Sequence, residues 1–261
     1  MGLSTLDPAI LALACSRELG FVDVVAELRD ACRRRTTPAE RLDQPGMFGV
    51  LSGAGPVAWA HGQVDGKRLR SVLASAPDLK EIYIATTRVD VATAVMQDGW
   101  RLHADVGHFL FAGGQVEPTA ALASYPISEA TPSDMPAIRE MLIRSFPIPP
   151  EVIAEGYPDD FFIKAAPSRL SIARDRAGDV VGSIGTRTQG SGVMLFGLAV
   201  DPAHRRRGVA RALTQTAMAS SAEDAAFLHA ITNEITGALA ESVSAREVGR
   251  WLHLLRGPAL S

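Results

Sequence analysis

The sequence predicts an α/β protein in which a central mixed sheet is flanked by helices. Apolar residues make up 47% of the 261 residues, which is enough to build a substantial core. Residues 170–200 have the pattern of three successive strands, and the last of them leads into a strand–helix–strand unit that ends near residue 232. A second strand–helix–strand pattern covers residues 81–111, so we expect two halves of similar construction.

The first half is predicted to span residues 1–115. Apolar residues at helical spacing predict helices near its start, and a Ser-Gly-Ala-Gly turn between two short apolar runs predicts a hairpin. The elements expected in this half are helices within 9–35, strands 47–51 and 56–60, helix 66–74, strand 81–86, helix 89–97 and strand 101–111.

The second half is predicted to span residues 116–261. The boundary is placed in residues 112–125, where glycine, proline and alanine occur without a clear period. The elements expected in this half are strand 125–129, a helix that starts near 131–134, a short helix 151–157, strands 170–174, 180–189 and 193–200, helix 208–220, strand 226–232 and a helix over 234–256.

Composition and charge exclude several classes of function. The formal net charge is −3 and no long Lys/Arg stripe with interleaved aromatics occurs, so we expect no nucleic acid partner. Cys15 and Cys32 have neither C-x-x-C spacing nor a histidine at metal spacing, so we expect no metal site and no disulfide framework. The longest apolar stretches are far shorter than the roughly 20 residues that span a bilayer. With no basic leader at the start, the sequence predicts a cytoplasmic protein without a membrane partner.

One segment, residues 194–213, combines features that suit an anion. An apolar strand ends in Asp-Pro, and three arginines, Arg205–Arg207, precede Gly208 at a predicted helix start. The first N–H groups of a helix lack intrahelical partners, and together with the helix dipole they favour a phosphate. Gly208 and Ala210 are small enough for a phosphate to approach the backbone. Three arginines at a helix N-terminus oppose its dipole unless an anion binds there, so the segment predicts phosphate binding.

The pattern Arg205-x-x-Gly208-x-Ala210 after an apolar strand resembles the coenzyme A signature, Arg/Gln-x-x-Gly-x-Gly/Ala, of the GNAT superfamily of N-acetyltransferases. The resemblance covers about residues 125–233. It implies a GNAT-like fold, with acetyl-coenzyme A as the acyl donor and a primary amine of a small molecule or peptide as the acceptor. The first half resembles the end of a GNAT domain but lacks the signature, so we interpret it as a degenerate GNAT-like half.

The resemblance also implies which residues hold the donor. Backbone groups of Leu198 and Val200 would hydrogen-bond the pantetheine arm, and one of their N–H groups would stabilise the oxyanion. In this family the strand carries a bulge, for which Gly197 is suited. The predicted cofactor-binding residues are Leu198, Ala199, Val200, Arg205, Arg206, Arg207, Gly208, Val209, Ala210, Arg211 and Asn233.

The proton-transfer residues are where the chain departs from the family. Many members carry a glutamate on the bulged strand and a tyrosine after the next strand, but residues 193–200 contain no carboxylate and no tyrosine follows Tyr157. The remaining candidates for catalysis are Glu155, Tyr157 and His229. Glu155 and Tyr157 lie either in a solvated acidic loop or in a cleft for a cationic amine, and His229 is either a core residue or a titrating group. The sequence therefore predicts an N-acetyltransferase, with a non-catalytic acyl-coenzyme A-binding module as the alternative.

Overall fold

The computed structural model describes most of the chain after residue 40. The described residues are 41–44, 46–50, 56–60, 64–85, 89–111, 124–164, 168–189, 192–221, 227–232, 239, 242–243 and 245–257. The predicted helices within 9–35, both cysteines and Asn233 lie outside these residues.

Strands and helices alternate along the described chain. In chain order they are β1 Arg41–Gln44, β2 Met47–Val50, β3 Val57–Ala60, α1 Gly66–Ser75, β4 Glu81–Ala85, α2 Val89–Met96, β5 Trp100–Phe111, β6 Ile127–Glu129, a 3-10 helix Pro132–Asp134, α3 Met135–Ser145, α4 Pro150–Gly156, α5 Phe161–Lys164, β7 Ser168–Arg174, β8 Val180–Gln189, β9 Gly192–Val200, a 3-10 helix Pro202–His204, α6 Val209–Ser221, β10 Phe227–Thr232 and β11 Ala245–Arg256.

These elements form two compact units that do not simply follow the order of the chain. One, here called the N-terminal unit, contains Asp7–Phe109, Ile231–Gly237 and Glu247–Ser261. The other, here called the C-terminal unit, is built mainly on Leu110–Ala230. Residues 247–257 therefore belong to the same unit as residues 41–109.

The N-terminal unit has a mixed sheet in the order β1-β2-β3-β4-β11-β5. Strands β3 and β4 are parallel and are joined by α1, because parallel neighbours need a long crossover connection, usually a helix. Leu69 of α1 and Val95 of α2 pack in one core with Ile82 of β4 and Leu254 of β11. The strand–helix–strand unit that the sequence predicts for residues 81–111 is confirmed as β4, α2 and β5.

The helix predicted over residues 234–256 is wrong for residues 245–256. These residues form β11, which pairs antiparallel with β4 so that Trp251 lies opposite Ala85. Leu252 and Leu254 join the core beneath α1 and α2, whereas Trp251 packs on the other face against Trp59, with ring centroids 5.0 Å apart. Because both faces carry apolar side chains, the strand shows no polar–apolar alternation, and its spacing matched a helix instead.

The C-terminal unit has a sheet in the order β10-β9-β8-β7-β6. Strands β6 to β9 form the predicted antiparallel meander, and β10 is parallel to β9 after the crossover helix α6. Helix α6 packs closely on β8, since a Cβ built on Gly182 would lie 3.0 Å from Leu213 and 3.1 Å from Val209. A buried core on α3, including Ile138 and Met141, completes the unit. Mixed sheets with helices packed against them confirm the predicted fold class.

Candidate functional site

Strand β9 carries a bulge in the middle of its pairing with β8. Ser183 pairs with Ala199 and Gly185 pairs with Phe196, so two residues of β9 lie opposite a single residue of β8. The first of these two is Gly197, whose φ of 59° is in the left-handed region. A glycine in this conformation is typical of a bulge that bends its strand and ends regular pairing. The predicted bulge is confirmed.

Two hydroxyl groups contact the bulge. The Ser183 hydroxyl, 1% exposed, donates a hydrogen bond of 3.3 Å to the carbonyl oxygen of Gly197 and so fixes the orientation of that peptide group. The Tyr157 hydroxyl lies directly against Gly197, because a Cβ built on this glycine would collide with Tyr157 Oη. The sequence singled out Tyr157 but not Ser183, whose position opposite the bulge follows only from the strand register.

The pairing of β9 with β10 covers only the first part of β9. It runs from Gly192 opposite Phe227 to Leu195 opposite Ala230 and, in the described part of both strands, does not extend to the bulge. The β9 segment from residue 196 to residue 200 therefore has a strand edge that β10 does not pair with. An extended chain can hydrogen-bond to such an edge as an added strand would.

The turn after β9 is held by ionic and polar contacts. Arg205 donates hydrogen bonds to two carbonyl oxygens, that of Val200 at 3.1 Å and that of Ser145 at 2.9 Å. Its guanidinium therefore ties the end of β9 to the C-terminal end of α3, where carbonyl groups lack intrahelical partners. The side chain of Arg205, one of the predicted cofactor-binding residues, is thus engaged within the fold.

Asp201 anchors the same turn as an ionised carboxylate. Burial acts to raise the pKa of Asp201, but hydrogen bonds from Arg144 and from the Ala203 N–H, together with the charges of Arg144 and His204, outweigh it and lower the pKa. The Arg144 Nε atom lies 2.8 Å from Asp201 Oδ2. His204 is half-buried, with its Nδ1 atom 3.3 Å from the Tyr125 hydroxyl, and it forms part of the turn's support.

The backbone between the turn and α6 has an unusual conformation. Arg206 has a φ of 61° and Gly208 a φ of 82°. A non-glycine residue in this region costs on the order of 1–3 kcal/mol, and such strain concentrates at binding sites. Left-handed residues next to ordinary ones turn successive N–H groups toward one point, which creates a concave anion site.

The first turn of α6 presents free donors beside this strained loop. The Ala212 N–H donates the first hydrogen bond of the helix, to the carbonyl oxygen of Gly208 at 2.9 Å. The preceding N–H groups, from Val209 to Arg211, have no carbonyl available within the helix. The side chains of Arg206, Arg207 and Arg211 are exposed around them. This end of the helix can bind a phosphate group through backbone N–H groups and positive charge.

Of the three catalytic candidates, Tyr157 is the one whose side chain the structure describes. Its N–H donates to Ile153 O at 2.9 Å, its carbonyl oxygen accepts from Arg139 at 3.1 Å, and its ring stacks on Phe161 at 5.6 Å. Glu155 lies in α4 and His229 in β10, and both side chains fall outside what is described. Asn233 and its predicted contact with coenzyme A also lie outside the described residues.

No group of three or more His, Cys, Asp or Glu side chains in the described ranges is placed to hold a metal ion. No helix in the same ranges combines the length and the apolar character needed to cross a membrane.

Comparison with protein families gives one match. Residues 135–241, less than half of the chain, match the model of the Acetyltransferase (GNAT) family. The matched region includes the bulged strand β9, the turn after it and helix α6. A comparison with curated proteins gives no match.

Comparison with solved structures shows the same fold over most of the chain. A GCN5-related N-acetyltransferase from Kribbella flavida has 13% identity and a TM-score of 0.64, and the alignment covers 91% of this chain and 96% of that one. A GNAT family acetyltransferase from Novosphingobium aromaticivorans has 17% identity and a TM-score of 0.55, with 84% and 92% covered. A tandem GNAT protein from the clavulanic acid biosynthesis pathway has 14% identity and a TM-score of 0.55, with 82% and 79% covered.

Proposed function

We propose that the chain, whose residues 135–241 match the model of the GNAT acetyltransferase family, is an acetyl-coenzyme A-dependent N-acetyltransferase that acts on a primary amine of a small molecule or peptide. The observation that carries the proposal is the continuous run from the bulge at Gly197 through the unpaired edge of β9 to the N-terminus of α6. An acyl donor with an extended arm and a pyrophosphate needs these features in this order along the chain.

The donor would be held mainly by backbone groups. Leu198, Ala199 and Val200 follow the bulge on the edge of β9 that β10 leaves free, where an extended arm can pair as a strand does. The N–H groups between Arg206 and Arg211 surround the strained loop and the helix start, where a pyrophosphate fits. Arg205 contributes its side chain to the fold, so its part in binding is limited to its backbone and its charge.

The bulge provides the catalytic group that we propose with the most support, a main-chain N–H that stabilises the oxyanion. As the amine attacks the thioester carbonyl, negative charge develops on the carbonyl oxygen and requires a fixed hydrogen-bond donor. A bulge leaves a main-chain N–H outside the regular ladder, and the bond from Ser183 to Gly197 O holds the peptide in place. Removal of one such donor typically lowers kcat by about 10²–10³-fold. Tyr157 is the proton-transfer candidate beside this position, with Glu155 and His229 as the further candidates.

We propose that residues 1–115 are a degenerate GNAT-like half that does not hold the donor. The arrangement of β3, α1 and β4 matches that of β9, α6 and β10, with a helix between two parallel strands in each unit. The start of α1 differs, however, because the Asp65 side chain accepts a 3.0 Å hydrogen bond from the Lys67 N–H. A carboxylate thus already occupies the position where a phosphate would bind, and its charge repels one.

The alternative function is a non-catalytic module that binds acyl-coenzyme A. One observation favours it: β9 carries no carboxylate that could remove a proton from the acceptor amine. A third possibility, a domain that binds no acyl-coenzyme A, predicts no thermal stabilisation by the ligand.

Release of coenzyme A across a panel of primary amines separates these functions. The panel should contain amino acids, polyamines, aminoglycosides and peptides with free N-termini, and a reaction without amine corrects for the thiols of Cys15 and Cys32. We expect amine-dependent release together with a higher melting temperature in acetyl-coenzyme A. Stabilisation without release for any amine would support the binding module. If acetyl-coenzyme A gives neither release nor stabilisation, both functions are refuted.

A further inference from the structure

The space over the β9 bulge is filled by the Tyr157 hydroxyl. A Cβ built on Gly197 would meet Tyr157 Oη before any other atom, with Tyr157 Cζ the next at 3.5 Å. Even a single methyl group at Gly197 therefore has no room on this side of the strand. Whatever lies over the bulge must fit around the end of the tyrosine side chain.

Tyr157 is fixed in this position by contacts along its whole length. Arg139 of α3 donates to the Tyr157 carbonyl oxygen at 3.1 Å and also pairs with Asp159 at 2.7 Å, which ties down the segment after α4. The Tyr157 ring stacks on Phe161, with an angle of 13° between the ring planes, and packs on the buried core that includes Ile153. Because its backbone and ring are both in contact with neighbouring residues, Tyr157 cannot change rotamer without disrupting the packing around it, which costs free energy.

The neighbouring surface of β8 and β9 is also filled. The Phe196 ring lies directly over Gly185, where a Cβ would overlap it, and the Arg187 guanidinium lies 5.6 Å from the centre of the same ring. The Phe196 ring thus covers Gly185 of β8, and the Tyr157 hydroxyl covers Gly197 of β9.

We propose that Tyr157 limits the donor to a short acyl group by forming the end wall of the acyl pocket. The inference rests on the proposed function, because it takes the thioester carbonyl to lie at the bulge, where a main-chain N–H stabilises the oxyanion. The acyl carbon chain begins at that carbonyl and meets the Tyr157 hydroxyl. An acetyl group adds one methyl beyond the carbonyl, and each further methylene must displace the wall. One misfitting methylene in a pocket changes binding by about 10–200-fold.

The two obvious substitutions of Tyr157 predict graded effects. Tyr157→Phe keeps the ring on Phe161 and removes only the oxygen that contacts Gly197, so it should admit about one further carbon. Tyr157→Ala removes the whole wall and should admit several carbons. Phe162→Ala is the matched control, because Phe162 packs on the same core but has no atom within 4 Å of a Cβ built on Gly197.

The test is the dissociation constant of acetyl-, propionyl-, butyryl- and hexanoyl-coenzyme A for each full-length variant, measured by calorimetry. We expect the wild type and Phe162→Ala to prefer the acetyl donor over butyryl by about 10-fold or more. Tyr157→Phe should gain propionyl binding, and Tyr157→Ala should bind butyryl and hexanoyl donors as tightly as acetyl. Melting temperatures verify that each variant is folded, and the milder Tyr157→Phe keeps the test valid if Tyr157→Ala unfolds.

Three results would overturn the inference: equal binding of all four donors by the wild type, an unchanged preference in both Tyr157 variants, or the same relaxation in Phe162→Ala. Because the readout is binding, it is independent of turnover. A wild type that discriminates between donors but acetylates no amine would refute the enzymatic function. The inference that Tyr157 limits the length of the acyl group would still stand. A wild type that binds none of the four would refute both.

Discussion

Replacing Gly197 by alanine perturbs the bulge in two separable ways. The first is backbone strain, because the φ of 59° at Gly197 costs an L-residue about 1–2 kcal/mol. The second is steric, because the new methyl group collides with the Tyr157 hydroxyl. Overpacking of this kind in a closely packed region adds about 1–3 kcal/mol. We therefore expect Gly197→Ala to destabilise the protein by about 2–5 kcal/mol in total.

Gly178→Ala is the control that isolates the steric part. Gly178 also has a positive φ, of 92°, but a Cβ built there has no atom within 4 Å. It lies in the turn between β7 and β8, where a methyl group meets only solvent. This variant should lose about 1–2 kcal/mol from strain alone and keep its affinity for acetyl-coenzyme A.

Urea denaturation and acetyl-coenzyme A titration of both variants check this reasoning. Gly197→Ala should lower the urea midpoint more than Gly178→Ala. It should also weaken donor binding by at least about 10-fold, equivalent to about 1.4 kcal/mol, because the new methyl group displaces the peptide proposed to contact the thioester carbonyl. If the two variants are equally stable and bind the donor equally well, the contact between Tyr157 and the bulge does not matter, and the reasoning fails.

Two further predictions concern the supports of the fold. Arg256→Ala should lower the free energy of unfolding by about 2–3 kcal/mol, because this guanidinium donates to three carbonyl oxygens at the end of α1, at 2.8–3.2 Å. Urea denaturation measures this loss, with Arg176→Ala, at an exposed position, as the control. Burial acts to raise the pKa of Asp134, but hydrogen bonds from Thr131 and the charge of Arg174 outweigh it and lower the pKa. The ionised Asp134 therefore stabilises the folded protein fully above about pH 4, the range of an ordinary aspartate pKa. This stabilisation is lost as the pH falls through the lowered pKa of the folded state. Denaturation of Asp134→Asn from pH 6 to pH 2 should show a weaker dependence on pH than the wild type.

The sequence predicted the region from β8 to α6 well because the signals there are local. Strand, Asp-Pro turn, arginines and glycine follow one another within some twenty residues, and each constrains its own backbone conformation. The bulge itself was expected from the resemblance to the GNAT family, and Gly197 was the residue suited to it. Tyr157 was a candidate by residue type alone, and its contact with Gly197 depends on how the proline-rich segment before α4 folds back.

The features that the sequence did not reveal depend on distant partners. Strand β11 finds its place beside β4, more than 150 residues earlier, and its apolar spacing fits a helix equally well. The side chain of Arg205 binds the Ser145 carbonyl, which no pattern near Arg205 indicates. Ser183 acquires its role from strand register, which a single sequence specifies only weakly when both faces of a strand are buried.

The central claim is that the N-terminus of α6 holds the phosphates of an acyl-coenzyme A. Ala210 lies in the first turn of this helix, so a carboxylate at this position would compete with a phosphate without distorting the backbone. The variants Ala210→Glu and Ala210→Gln have side chains of nearly equal size and differ in charge. The acidic variant should stabilise the helix by about 0.3–1 kcal/mol in the absence of ligand, because it complements the helix dipole.

The decisive measurement is the dissociation constant of acetyl-coenzyme A for the wild type and these two variants, by calorimetry at low salt. We predict that Ala210→Glu binds acetyl-coenzyme A at least about 10-fold more weakly than Ala210→Gln, although its melting temperature without ligand is equal or higher. Equal affinities of the two variants would contradict a phosphate site at the start of α6.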